Sequence, residues 1–304
     1  MPGKSILVVG SSNTDMVIKT AKFPDPGETL LGGTFFMFPG GKGANQAVAA
    51  ARLGGDVTFI AKLGNDIFGQ QALQQFQKEG IHTDFILTDP QHPSGVALIT
   101  VDAKGENTIV VAQGSNGTLA AEDLAKAEKE FERADTVLLQ LEIPIPTVVR
   151  AAQLAAKAGK KVILNPAPAT TLPEAIFKDL YLITPNRSEA ESLTGLSVRD
   201  ASAISAVSKW FRDKGVQKVV ITLGSEGAYV HDERGGRYIA APRVNAIDTT
   251  AAGDVFNGAL AVALAEGTSL DEAVQFANRA AALSVTRMGA QASAPYRHEL
   301  TSFL

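Results

Sequence analysis

The stretch DTTAAGDVFNGAL, from Asp248 to Leu260, sets one carboxylate, Asp254, among residues with little or no side chain: Ala251, Ala252, Gly253, Gly258 and Ala259. A helical pattern, 252–266, begins there. The first main-chain N–H groups of a helix have no intrahelical acceptor. Bare side chains around them leave room for an anion. Asp254 could simply complement the helix dipole in the first turn, and Asp248 upstream is a second candidate ion ligand. An unperturbed aspartate is too weak a base at neutral pH to take a proton from carbon. Phosphoryl transfer asks for less, because a positioned carboxylate need only accept a hydroxyl proton late in a loose transition state. A backbone anion pocket beside a carboxylate therefore points to a phosphate and an alcohol, which is kinase chemistry.

A second group lies in PGGKGANQAVAAARLG, 39–54, where glycines again lead into an Ala-rich helix. It is not a Walker A loop, since Gly43 follows Lys42 where Ser or Thr is required. Nor is it a dinucleotide fingerprint, because Gln46 occupies the third glycine position counted from Gly41. Lys42, Asn45 and Gln46 look like hydroxyl-binding groups or, more plainly, a helix start. In TPNRSEAESLTG, 184–195, Asn186 and Glu189 have capping-box spacing; the alternative is that they organise Mg²⁺ waters near nucleotide phosphates. His82, His92, His231 and His298 are scattered without ligand spacing, and Ser11, Ser12 and Ser188 lack the partners of a hydrolase nucleophile. Trp210 reads as core or helix face.

These groups need elements to bring them together. Apolar runs at 5–10, 57–64, 136–142, 161–168, 180–186 and 218–224 suit strands of a parallel sheet buried on both faces. Ala-rich segments of helical period alternate with them at 44–53, 119–134, 146–158 and 199–214, with another at 270–286 near the C-terminus. The pattern predicts an α/β fold with a doubly wound, mostly parallel central sheet flanked by helices. Ligands of such sheets bind beyond the carboxyl ends of the strands. GSSNTD, Glu142, NPAP, TPNRSE and TLGSEG all follow strand runs, so they are expected to share one crevice. Residues 16–38 and 94–112 break the alternation as short β runs joined by turns. They are assigned to a small β lid subdomain inserted in a single domain spanning 1–304, with Gly40 and Gly41 as a hinge. The apolar TFFMF within it suits a lid or a subunit contact.

The 304 residues carry 28 Lys+Arg against 32 Asp+Glu, with no long basic run, so neither nucleic acid nor an anionic membrane is an expected partner. The absence of cysteine excludes thiolate nucleophiles, zinc–thiolate sites and iron–sulfur clusters. No stretch has the length of a membrane span or the form of a secretory signal, and a cytoplasmic location is expected.

Taken together, GGKGANQAVAAARLG and DTTAAGDVFNGALAVAL resemble the two signature regions of the PfkB-type carbohydrate kinases. The similarity runs nearly end to end and is closest to the ribokinase-type members, through SSNTD, FPDPGET, LQLEIP, LNPAPA, ITPNRSEAE, ITLGSEGAYV and VTRMGAQAS in order. The resemblance implies a ribokinase-like fold and ATP-dependent phosphorylation of D-ribose at O5. It implies that Asp254 is the base and that the amides of Ala251, Ala252, Gly253 and Asp254 form the anion hole. Asn13, Asp15, Gly41, Lys42, Asn45 and Glu142 would hold sugar hydroxyls. Asn186, Thr222, Leu223, Gly224, Ser225, Glu226, Gly227, Gly253 and Asn278 would contact ATP, with Glu189 near Mg²⁺. Asp248, Thr250, Ser284, Arg287, Gly289 and Ser293 would hold an activating K⁺, mostly through carbonyl oxygens, and the lid would pair two copies into a homodimer. Two positions depart from the pattern: Ala251 stands where many members have Gly, and Val255 stands where ribokinase-type members usually have Thr.

Alternatives within the family are a 2-deoxyribose or other furanose kinase and, more distantly, a nucleoside kinase, which needs an aromatic platform that a chain with 6% aromatics does not obviously supply. A nicotinamide-dependent oxidoreductase lacks the glycine spacing, and a sugar sensor would bind without releasing ADP. Asp254→Asn is expected to leave sugar binding largely intact while lowering turnover by about 10²–10⁴-fold; calorimetry and a coupled ADP assay check the two halves, and near-normal turnover rejects the role.

Overall fold

The computed structural model describes residues 4–303. Its strands are β1 (Ser5–Val9), β2 (Asn13–Lys19), β3 (Thr34–Gly40), β4 (Asp56–Gly64), β5 (Ile86–Asp89), β6 (Gly95–Val101), β7 (Asn107–Ala112), β8 (Thr136–Leu139), β9 (Lys161–Leu164), β10 (Leu182–Ile183), β11 (Lys218–Thr222), β12 (Ala228–Asp232) and β13 (Gly235–Ile239). The helices are α1 (Lys42–Arg52), α2 (Ile67–Lys78), α3 (Glu128–Arg133), α4 (Ile145–Lys157), α5 (Arg187–Thr194), α6 (Ala201–Asp213), α7 (Ala252–Ala265), α8 (Leu270–Ser284) and α9 (Arg297–Thr301).

Nine strands form the main sheet in the order β13-β12-β11-β10-β9-β8-β1-β4-β5. Neighbours from β5 to β11 run parallel, and β12 and β13 close one edge antiparallel. The two-residue period of a strand divides the core. Ile6 and Val8 of β1 face a cluster built with α1, α7 and α8, whereas Leu7 and Val9 face one built with α4 and α6. Burial on both faces is why these strands read as unbroken apolar runs.

The other four strands form a separate sheet in the order β3-β2-β6-β7, so the two interrupting segments do pair with each other. Its register gives it two unlike faces. Met16, Ile18, Phe35, Met37, Leu98 and Val110 lie directly opposite or in step with one another on one face. All but Met16 of these are largely exposed. Asp15, paired with Phe38 and Ala97, is on the other face.

Some elements differ from the sequence pattern. The helix expected over 119–134 is a 3-10 segment, Ala121–Ala127, followed by the short α3. Asp123 takes the Ala120 amide and the Lys62 ammonium, clamping the first turn tight. The run at 180–186 shrinks to the two residues of β10, because Asn186 already caps α5. Helix α2 and strands β5, β12 and β13 were not singled out in the sequence; α2 buries only Gly69 and Phe76, too little to impose a strong period.

Helix α7 is buried on nearly every side from Asp254 onward, as its apolar composition requires. It meets α1 at Gly258, where a Cβ would lie 2.8 Å from both the Ala49 Cβ and the Gln46 carbonyl oxygen. Gly258→Val is therefore expected to cost about 1–3 kcal/mol through overpacking, measured by urea unfolding, and to lower turnover by parting Asp254 from α1.

Candidate active site

Helix α7 starts from Ala251, whose φ of 58° makes it the one non-glycine residue in the left-handed region among the described residues. That conformation costs an L-residue roughly 1 kcal/mol and turns the chain so that the next amides open outward. The Ala252 amide is engaged by the Thr249 carbonyl at 3.3 Å, while those of Ala251, Gly253 and Asp254 have no acceptor among the described residues. Three of the four expected amides are thus free, and a Cβ on Gly253 would meet nothing within 4 Å. Space and donors coincide there.

The Asp254 side chain is buried, at 6% exposure. Its Oδ2 accepts from Asn45 Nδ2 and its Oδ1 from Gln46 Nε2, both at 2.9 Å. Burial drives its carboxyl above the usual aspartate range; Lys42, Asn45 and Gln46 oppose that, and Glu142 reinforces it. The result is an aspartate more basic than one in water, still held by two donors.

Beside it, the ends of β1, α1 and β8 converge on Glu142, whose Oε2 accepts from Ser11 Oγ at 2.6 Å and from the Lys42 amide at 2.9 Å. Glycine permits the approach: a Cβ on Gly43 would lie 2.5 Å from the Ser11 nitrogen. Asn13 is set by Asn116, which donates to its Oδ1 at 2.8 Å and also bonds both main-chain polar groups of Ser12. Asp15 reaches in from the second sheet, and a Cβ on Gly40 would fall 2.2 Å from its carboxylate. Burial, then Glu142 and Asp254, push Asp15 up to about 6, with Lys42 opposing. For Lys42 burial acts downward, but Asp254, Glu142, Glu189 and Asp15 outweigh it and raise the ammonium. Asn13, Asp15, Lys42, Asn45, Glu142 and Asp254 therefore occupy one cleft. A cavity of about 730 Å³ at the opposite end of the sheet, lined by Lys157, Lys160, Lys161 and Lys178, has no part in it; lysines near helix carboxyl ends offset helix dipoles.

Residues 4–297 match the model of the pfkB family carbohydrate kinases. The chain belongs to that family. It is a sugar kinase, a phosphotransferase with an alcohol group as acceptor. A ribokinase from Haemophilus influenzae is 46% identical over 99% of this chain and 98% of its own. A deoxyribokinase from Salmonella typhimurium is 36% identical over 98% of each chain. The structure of Arabidopsis thaliana ribokinase complexed with ribose and ATP superposes with a TM-score of 0.93 at 31% identity, covering 100% of this chain and 99% of that one.

Of the residues expected to contact ATP, Asn186 pairs with Thr222 in an isolated parallel bridge, so the α5 start and the β11 end are neighbours. Gly224, Ser225 and Glu226 form a 3-10 turn and Glu226 pairs with Arg187. Gly227 has φ 101° and a Cβ there would lie 2.2 Å from the Ile239 carbonyl oxygen. Leu223 is buried, and Asn278 donates to the carbonyls of Ile239 and Ala240. Asn186 and Glu189 form the reciprocal capping box, which uses one Glu189 oxygen on the Asn186 amide. The other oxygen has no partner among the described residues, and burial raises the carboxyl. No group of three acids or histidines able to hold a metal directly occurs among the described residues. A hydrated Mg²⁺, which characteristically keeps its waters, suits the single free oxygen of Glu189.

Of the residues expected around K⁺, Asp248 accepts from the Thr250 and Gly289 amides. Burial acts upward on it, but these bonds hold it below the usual range. The Ser284 and Ser293 hydroxyls donate to nearby carbonyls and Arg287 is paired with Glu299. With these side chains engaged, what Ser284, Arg287 and Ser293 could offer a cation is main-chain oxygen. Val255, at 1% exposure, packs in the core, so the missing threonine hydroxyl does not alter the cleft.

The sequence reading did not assign Gln140, Asn165, Thr184 or Asn257, and it grouped Gln46 with the hydroxyl-binding residues, whereas Gln46 is wholly buried and spends its NH₂ on Asp254 and Asn165. They form a buried chain. Gln46 donates to Asn165 Oδ1 at 2.9 Å, Asn165 to the Thr184 carbonyl at 3.4 Å, Thr184 to Asn257 at 2.6 Å, and Asn257 to the Gly253 carbonyl at 2.8 Å. Polar residues just past strand ends were the only available hint.

Ionised, Asp15 accepts from hydroxyls on both carboxylate oxygens, with the added strength of a charged acceptor; protonation gives one of them up. The sugar KM is therefore expected to rise below pH 6, about tenfold per unit at the limit, with kcat less affected. Because folding raises this carboxyl from 3.8 to about 6, the folded state binds the extra proton between those values. Its contribution thus makes stability fall as pH rises from 3.8 to 6, then level off. Asp15→Asn should remove that KM limb, weaken sugar binding at pH 8, and raise Tm there by roughly 2–4 °C.

Proposed function

We propose that the chain catalyses ATP-dependent phosphorylation of D-ribose at O5, giving D-ribose 5-phosphate and ADP. The observation that carries this reading is the buried Asp254 carboxylate standing at the α7 start beside three unpaired amides, in one cleft with Asn13, Asp15, Lys42, Asn45 and Glu142. Ribokinase similarity across nearly the whole chain supports the choice of sugar. The carboxylates and amides of the cleft hold the hydroxyls. Asp254 accepts the O5 proton as the oxygen attacks the terminal phosphorus, and the amides of Ala251, Gly253 and Asp254 receive the charge on the transferring group. Glu189 would hold magnesium near the phosphates, where the ion would neutralise phosphate charge. K⁺, at main-chain oxygens around Asp248 and Gly289, would stiffen the loop leading into the amide cradle.

The second sheet acts as the lid in this reading. Its Asp15 face covers the sugar and excludes water, and its apolar outer face fits a second copy, giving a homodimer. No helix among the described residues is long and apolar enough to cross a membrane. The deoxyribokinase at 36% identity keeps 2-deoxyribose as the competing substrate.

An ADP-release assay over a pentose panel, with K⁺ or Na⁺, tests the reading. Ribose is expected to exceed 2-deoxyribose in kcat/KM by about 10–100-fold, the factor for leaving a buried polar group unpaired, with higher turnover in K⁺. Equal or better use of 2-deoxyribose reassigns the sugar; no ADP with any pentose removes the proposal.

A further inference from the structure

The base is held by a residue that no substrate can touch. Gln46 and Gln140 are both at 0% exposure. Gln46 has three side-chain neighbours at hydrogen-bond distance: Asp254 Oδ1 at 2.9 Å, Asn165 Oδ1 at 2.9 Å and Gln140 Nε2 at 2.6 Å. An ionised carboxylate only accepts, so Gln46 must turn its NH₂ toward Asp254, and its carbonyl oxygen is left to receive a donor. Gln140 is that donor. Gln140 meets this demand at a cost, since its own Oε1 is buried without any partner. That oxygen sits where a Cβ on Gly10 would be, 2.1 Å away, so glycine at position 10 makes room for it. An orphaned buried acceptor costs about 1–3 kcal/mol, a cost that needs a reason.

We propose that Gln140 is a positioning residue that fixes the amide orientation of Gln46, and through it the ionisation and rotamer of Asp254. This rests on Asp254 being the base. If Gln46 turned over, its carbonyl oxygen would face the Asp254 carboxylate, a repulsion that favours protonation and takes the base out of use. The other charges facing Asp254 are Lys42 from α1, Glu142 after β8, Asp15 from β2 and Glu189 from α5. Neither glutamine side chain bonds any of them, so substitution at 140 or 46 leaves that set in place.

The test uses Gln140→Met and Gln46→Met, each close in volume and unable to hydrogen-bond in this way, alongside Asp254→Asn. With either Met variant kcat is expected to fall about tenfold, its acid limb to move up by about one unit, and the sugar KM to stay within about threefold. The double variant should be no worse than Gln46→Met alone, because the two act in series. Gln140→Met should move Tm by only a few degrees, since it deletes the orphaned Gln140 Oε1 but leaves Gln46 Oε1 without its donor; a shifted acid limb is what a merely structural glutamine could not give. An unmoved acid limb in Gln140→Met, or additive losses in the double variant, overturns the proposal while leaving the base assignment standing. Should Asp254→Asn turn over normally, both fall together.

Discussion

In the proposed reaction a carboxylate that takes a proton from an alcohol has to be removed from water yet remain ionised, and the surroundings of Asp254 meet both conditions. Burial at the start of α7 raises the proton affinity of Asp254, which strengthens it as a base. Left alone, the same burial would neutralise it. Asn45 and Gln46, on the first turn of α1, each give one hydrogen bond to the carboxylate, so α1 and α7 must pack close. Their contact at Gly258, and the small residues on both helices, follow from this requirement.

Charge in the cleft imposes the next condition. Lys42 is surrounded by Asp15, Glu142, Glu189 and Asp254, so the side chains facing the ligands are acidic overall. Acids suit sugar hydroxyls, which they accept from, and they repel a polyphosphate. The phosphate is therefore best received by main-chain amides, which carry partial positive charge and no proton to lose. The strained turn at Ala251 supplies them, and cations accompanying the nucleotide supply the remaining balance.

The second sheet addresses solvent. One face carries Asp15 toward the cleft and the other carries Met16, Ile18, Phe35, Met37, Leu98 and Val110 outward. An alternating strand pattern can serve two partners at once, a ligand on one side and an apolar surface on the other. Gly40 and Gly41 join this sheet to α1, which carries Lys42 and Asn45. The second sheet is thereby joined directly to the residues proposed to meet the sugar.

Alternation of apolar runs with Ala-rich helical periods was enough to give the α/β class, the parallel strands and the separate β pieces, because those features follow from local periodicity. The bare surroundings of Asp254 likewise pointed, without coordinates, to a carboxylate beside unpaired amides, which is the arrangement the structure has. Short range also explains the failures. The segment after 119 has helical spacing but is tightened by Asp123 and Lys62, and β10 is cut short by the cap at Asn186. Nothing local announces that Gln46 will meet Gln140 and Asn165, 94 and 119 residues away. Parallel strand order brings those chain ends together, and only their three-dimensional meeting decides which way an amide must point. Sequence determined which groups could do the chemistry; tertiary structure decided how they are charged, oriented and shielded, since proton affinity depends on neighbours that are distant along the chain.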